Sequence, residues 1–122
     1  LCTVANGKYV GSSFQCAPRS ENDDGLLEVC LVNPLSRITF FKLIKYYTRG
    51  EHLENPLFDD YIVYRRGKKI EIEGGNDFNF ALDGELVYQS RVSVEVVEKA
   101  IKFVIPRGIS VGHENTSLTT NK

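Results

Sequence analysis

Three dipeptides constrain this chain more than any other feature: Asn6-Gly7, Asp24-Gly25 and Asp83-Gly84. Each joins a residue that tolerates left-handed backbone to a glycine and sits beside β-branched or aromatic residues, the strongest short-range signal for a hairpin. Arg66-Gly67 is a weaker fourth. Between these turns lie strand-like runs at 26–32, 61–65, 69–73, 78–82, 85–89, 92–97 and 101–105, of which Lys69-Ile70-Glu71-Ile72-Glu73 alternates most strictly. Short strands at this spacing predict a mainly β fold, an antiparallel sandwich or barrel-like domain.

One segment has a different period. In 36–50 the apolar residues Phe40, Phe41, Leu43, Ile44 and Tyr47 recur at helical spacing, with Ser36 placed to cap the first turn and Gly50 to end the last. This predicts a single amphipathic helix over about 36–49, its aromatic stripe serving as core. From residue 107 onward glycine, Asn, Ser and Thr replace apolar periodicity, so 107–122 reads as an irregular tail.

A chain of 122 residues suits one domain, and folding at this size buries roughly 65% of the unfolded surface. The formal charge of −1 gives no whole-chain attraction to nucleic acid, so any basic site must be local. Cys2, Cys16 and Cys30 are odd in number and too far apart for a zinc knuckle, which reads as reduced thiols in a cytoplasmic protein. No run approaches the ~20 apolar residues of a membrane span, and the first residues lack the pattern of a signal peptide.

The acids of Ser20-Glu21-Asn22-Asp23-Asp24-Gly25 could surround a hard cation, because carboxylate and carbonyl oxygens ligate it while glycine allows the turn. The calcium-hand loop does not fit: aligned on Gly25, it puts Ser20 at the first ligand and Leu31 where a bidentate Glu belongs. Metal binding and a solvated turn both remain open. In Asp83-Gly84-Glu85 a type I′ hairpin accounts for the dipeptide, while Glu85 at its mouth could accept a proton from a substrate hydroxyl. The bases fall into two groups, Lys42, Lys45 and Arg49 on the helix and Arg65, Arg66, Lys68 and Lys69 around a turn. Either could meet an anionic membrane surface, though solvated faces look the same and are the favoured reading. His52 and His113 have no partner nearby in sequence and read as surface residues.

Taken in order, Val4-Ala5-Asn6-Gly7-Lys8-Tyr9-Val10-Gly11, Phe14 with Ala17-Pro18, Asp23-Asp24-Gly25-Leu26-Leu27-Glu28-Val29 and Leu82-Asp83-Gly84-Glu85 resemble the C-terminal domain of the bacterial diacylglycerol kinase-like lipid kinases, a family related to sphingosine kinases and NAD kinases. The likeness covers residues 1–106, which it identifies as part of a C-terminal β-rich domain. It implies an N-terminal nucleotide-binding domain upstream, an active site in the cleft between the two, and a fragment inactive by itself. It further implies a Mg2+ site in which Asp24 gives a carboxylate and the chain carbonyls of Glu21 and Leu26 complete the protein ligands. Glu85 matches the family's acid-base position, and ATP would be held mainly by the N-terminal domain. The implied reaction moves the ATP γ-phosphoryl group to the hydroxyl of diacylglycerol or a similar lipid. Gly11-Ser12-Ser13 departs from relatives that run several glycines there, and the tail matches nothing in the family.

The resemblance makes the implied protein a cytoplasmic enzyme that could sit peripherally on a membrane. A sugar-nucleotide or NAD-type acceptor is a kinase-related variant. From a different class, a non-catalytic β-sandwich module could bind an anionic membrane or a protein partner through its basic helix and hairpin. Unpaired strand edges would also favour homo-oligomers.

Overall fold

The computed structural model describes residues 1–76, 78–102, 104, 106 and 107. The apolar run after the acidic turn forms a central strand, β2 (Leu27–Val32), which pairs antiparallel with β1 (Cys2–Ala5) on one side and β3 (Ile62–Gly67) on the other. Register places Thr3, Cys30 and Tyr64 in one cross-strand row and Ala5, Glu28 and Arg66 in another. Because side chains alternate along a strand and cross-strand partners share a face, both rows point the same way. That face carries the covering layer: the Tyr47 hydroxyl donates to Cys30 Sγ at 3.9 Å. Around it Cys16, Ala17, Leu43, His52 and Phe58 are buried. Each large apolar side chain buried in this way contributes roughly 1.5–3 kcal/mol.

The helix α1 (Arg37–Thr48) forms as its sequence directs. Ser36 Oγ accepts from Thr39 N at 3.1 Å, and Gly50 takes φ 75° just past the end, a conformation glycine adopts without strain. The aromatic stripe, however, is not all core. Leu43 is buried and Ile44 and Tyr47 are half-buried, whereas Phe40 and Phe41 are exposed. Adjacent helical residues point about 100° apart, so Phe40 and Phe41 cannot both face one sheet. His52, expected at the surface, is instead buried in the short 3-10 turn Glu51–Leu53, its ring stacked on Tyr47 with centroids 4.4 Å apart. The chain reversal after α1 brings it under the sheet, which no local pattern encodes. His113 lies outside the described residues.

The second half of the chain is a nested ribbon. β4 (Lys69–Glu73) pairs antiparallel with β7 (Arg91–Glu95), and between them β5 (Asn79–Leu82) pairs with β6 (Glu85–Tyr88). Gly74 N donates to Ser90 O at 2.7 Å where the two pairs meet. Asp83 at φ 47° and Gly84 at φ 96° form a two-residue loop with both central residues left-handed, the type I′ geometry.

All the sheets are antiparallel and open, with no closed barrel among the described residues. The other expected turns resolve differently. β1 does not reverse at Asn6-Gly7: the chain leaves the sheet there, makes a tight loop closed by the Val10 to Phe14 bridge, and returns only at Leu27. Asp24-Gly25 launches β2 rather than joining two neighbouring strands, and Gly67 ends β3. Of the run at 101–105, residues 101, 102 and 104 are not strand, while 103 and 105, like the tail from 108 onward, lie outside the described residues.

Candidate functional site

The acidic turn is locked from within. Asp24 Oδ1 accepts from Leu26 N at 2.9 Å, a side-chain turn that holds the backbone while Gly25 takes φ 70°. A Cβ at Gly25 would also meet the Glu98 side chain at 2.6 Å. Asp24 Oδ2 pairs with Arg66 Nη2 across from β3. The same guanidinium donates through Nε to Glu28 Oε1 at 2.7 Å, so one cation bridges two carboxylates. Partial desolvation opposes the charge, but Glu28, Asp24 and Glu21 together raise the Arg66 pKa above its ordinary value. Of Glu21, Asp24 and Leu26, only Asp24 pairs with the guanidinium; Glu21 acts on it through its charge alone, and Leu26 reaches only the Asp24 carboxylate through its N–H.

Beside this turn lies a buried polar cluster. Glu28 is only 1% exposed, while its partner Arg66 is 41% exposed and carries the pair to the surface. Ser20 Oγ, Glu28 Oε2 and the Tyr64 hydroxyl are buried and make no hydrogen bond among the described residues. Desolvation first, and then the neighbouring Glu28 carboxylate, push the Tyr64 phenol well above its ordinary pKa. The phenol therefore stays neutral and keeps its proton beside the buried Glu28 carboxylate.

A small hard cation at this turn would draw on the Asp24 carboxylate and the carbonyls of Glu21 and Leu26, beside the Arg66 guanidinium that already pairs with Asp24. Magnesium takes oxygen ligands and retains waters, so one carboxylate with two carbonyls is a sufficient protein contribution. Each Asp24 oxygen accepts one hydrogen bond and keeps further lone-pair capacity. No cluster of three or more His, Cys, Asp or Glu side chains suited to a metal occurs among the described residues. A site here would therefore depend on backbone oxygens. From sequence Arg66 reads as one of the hairpin bases and Glu28 only as part of the acidic-turn motif, so their pairing is not anticipated. The available signal was a Glu inside the apolar run Leu26-Leu27-Glu28-Val29-Cys30, since a buried carboxylate requires a partner.

Glu85 is placed quite differently. It opens β6 at the tip of the ribbon, directly opposite Leu82, and its side chain is exposed with no ion pair or hydrogen bond among the described residues. Phe80 is buried against Phe78, with ring centroids 4.7 Å apart, whereas Leu82, on the same face as Glu85, is exposed, as are Leu86 and Tyr88 on the opposite face. No hydrogen bond or ion pair among the described residues joins the Glu85 hairpin to the acidic turn.

The two basic groups also separate. Arg66 serves Glu28 and Asp24, Lys68 pairs with Glu98 at 2.7 Å, Lys69 with Glu71 at 3.0 Å, and Arg65 Nη1 donates to Tyr64 O. The hairpin bases are largely engaged by the chain's own acceptors. On the helix, Arg49 lies 3.9 Å from Glu51, while Arg37, Lys42 and Lys45 form no ion pair among the described residues.

Residues 1–105 match the family model described as the YegS C-terminal NAD kinase beta sandwich-like domain. Similar curated proteins include a probable lipid kinase YegS-like from Chromohalobacter salexigens, 28% identical over 88% of this chain and 33% of its own length. A diacylglycerol kinase from Bacillus subtilis is 26% identical over 70% of this chain and 26% of its own. Sphingoid long-chain bases kinase 1 from Arabidopsis thaliana is 31% identical over 65% of this chain and 10% of its own. The chain therefore spans a third or less of the length of these relatives.

Proposed function

Because the chain belongs to the family of YegS C-terminal NAD kinase beta sandwich-like domains, we propose that it is the C-terminal part of an ATP-dependent lipid kinase that phosphorylates the hydroxyl of diacylglycerol or a similar lipid. The observation that carries this reading is the match along 1–105 together with relatives named as lipid kinases. ATP would bind mainly to a part of the protein outside this chain, and these residues alone would not catalyse transfer.

In the proposed reaction the lipid hydroxyl oxygen attacks the γ-phosphorus, the bond to the β,γ-bridging oxygen breaks, and ADP leaves. Such transfer depends on in-line positioning and charge neutralisation, with a group to take the hydroxyl proton. Glu85 is that group in this reading. The left-handed pair Asp83-Gly84 fixes the start of β6, so the carboxylate projects from a rigid turn into space where a second domain and a lipid could reach it. Magnesium bound by Asp24 and the carbonyls of Glu21 and Leu26 would supply positive charge that orders the cleft. Asp24 would hold it from a turn already set by the Leu26 N–H, with Glu28 and Arg66 fixing the carboxylate's orientation.

The test is formation of phosphorylated lipid by the complete protein with Glu85→Gln, which keeps size and hydrogen bonding while removing the base. Turnover should fall by about 10²–10⁴-fold with ATP binding retained. Near-normal turnover would remove Glu85 from the mechanism.

A further inference from the structure

We infer that the outward face of α1 docks the protein on an anionic lipid bilayer. Phe41, Ile38 and Leu57 would enter the headgroup and acyl boundary while Arg37, Lys42 and Lys45 meet acidic headgroups. The inference rests on the lipid kinase reading, which puts the acceptor in a bilayer, but the surface itself is observed independently of it.

Phe41 is 74% exposed, Ile38 70% and Leu57 60%. Ile38, Phe41 and Lys45 follow one another at helical spacing, and Lys42 lies on the same outward side, so the apolar ridge and the bases share one face. Phe41 and Leu57 border a common shallow groove that Lys42, Lys45 and Asp60 also line, which extends the apolar surface from α1 onto the 3-10 turn Pro56–Phe58. Phe41 also borders a second groove, with Leu1, Leu35 and Arg37. Large side chains exposed together in this way mark an interaction surface rather than scattered apolar residues.

Charge selects the occupant. The helix sequence Arg37-Ile38-Thr39-Phe40-Phe41-Lys42-Leu43-Ile44-Lys45-Tyr46-Tyr47-Thr48 contains three bases and no acid, in a chain whose formal charge is −1. None of these three bases forms an ion pair among the described residues, Lys45 meeting only the neighbouring Tyr46 ring at 4.7 Å, whereas Arg66, Lys68 and Lys69 are taken up by carboxylates. A second copy packed through this face would set like charges against each other. An anionic bilayer supplies both an apolar interior for the ridge and negative charge for the collar, and lysine stems can lie along the interface with their ammonium groups in water.

The experiment is co-sedimentation of the complete protein with vesicles of phosphatidylcholine alone or with a minority of phosphatidylglycerol. Partition onto the anionic vesicles should exceed that onto neutral ones by about tenfold or more, and should weaken at high salt. Phe41→Ser should reduce it by about tenfold, and Lys42→Glu with Lys45→Glu by at least as much. All three positions are exposed, so melting temperature should stay unchanged and turnover on diacylglycerol in detergent micelles should persist. Absence of vesicle binding at low salt, or equal binding by the variants, overturns the inference. So does a dimer that Phe41→Ser disperses without any vesicle binding, which would assign the face to a second copy. Vesicle binding by the unaltered protein with no turnover on micellar lipid would support docking while refuting the kinase reading, so the two failures are distinguishable.

Discussion

The turn at Asp24 and the hairpin at Glu85 present carboxylates in opposite ways. Asp24 is held by a backbone N–H, shares Arg66 with a buried Glu28, and opens a strand paired on both edges. Glu85 stands on a two-stranded ribbon, exposed, with a tight turn as its main restraint. The first is a self-contained structural element whose geometry this chain determines. The second is a rigidly aimed group whose chemical surroundings the chain does not itself provide. A site built from both would divide its labour accordingly, the one ordering the domain and the other acting on whatever approaches the tip.

The largest expected difference between them is between activity and stability. Glu85→Gln should lower lipid phosphorylation by about 10²–10⁴-fold, equivalent to roughly 3–5 kcal/mol of barrier, while leaving the unfolding midpoint unchanged. Arg66→Met should do the reverse to the protein's stability. Removing one partner of a buried pair strands the other charge, and with Arg66 41% exposed the cost should be about 2–4 kcal/mol, read from urea unfolding. Glu28→Gln in the same assay should cost less than Arg66→Met, since the amide still accepts from Arg66 and no buried anion remains. If Arg66→Met proves as neutral as Glu85→Gln, the acidic turn is not the self-contained element described above.

Glycine substitutions probe the two turns at intermediate magnitude. Both Gly25 and Gly84 have positive φ, so alanine at either should cost about 1 kcal/mol from backbone strain alone. Gly25→Ala should cost more, because its Cβ would also meet the Glu98 side chain that pairs with Lys68, whereas nothing lies within 4 Å at Gly84. Magnesium provides a matching test. In the complete protein, saturating Mg2+ at ten times its dissociation constant should stabilise by about 1.4 kcal/mol, and Asp24→Asn should abolish that gain while Glu85→Gln preserves it.

These contrasts also show which features a sequence can carry. The Asp83-Gly84 hairpin and the helix ends at Ser36 and Gly50 were readable because their determinants lie within a few residues of one another. Asn6-Gly7 and Asp24-Gly25 carry the same local signal, yet β1 finds its partner only after the excursion through 6–26, a pairing fixed by long-range register. The Glu28 to Arg66 bridge depends on that register too. Burial of His52 and exposure of Phe41 depend on how α1 lies across the sheet. Helical period tells which residues share a side, and Phe41, one residue after Phe40, shares its side with Ile38 and Lys45 instead of Leu43. The family resemblance was readable in the order of four short motifs, and the match over 1–105 agrees with it.

The smallest expected effect uses acid to separate the two regions. Burial lowers the His52 pKa from its ordinary 6.5, the nearby carbonyls of Cys16 and Tyr47 opposing this only in part, and neither ring nitrogen makes a hydrogen bond among the described residues. The folded state therefore resists a proton that the unfolded chain accepts. Stability should hold above pH 6.5 and fall as pH drops below it, by less than about 1.4 kcal/mol per pH unit. The ribbon has no such group between residues 69 and 95. Its Glu71 carboxyl is held below the ordinary 4.5 by Lys69 and Arg91 and stays ionised throughout this window. Mild acid should thus speed amide exchange in β2 and β3 before it affects β5 and β6 beyond the intrinsic change in exchange rate. His52→Phe, which keeps an aromatic ring against Tyr47 and removes two unsatisfied nitrogens, should abolish the acid response. Equal loosening of both regions, or a response that survives the substitution, would show that His52 is not the origin of the difference.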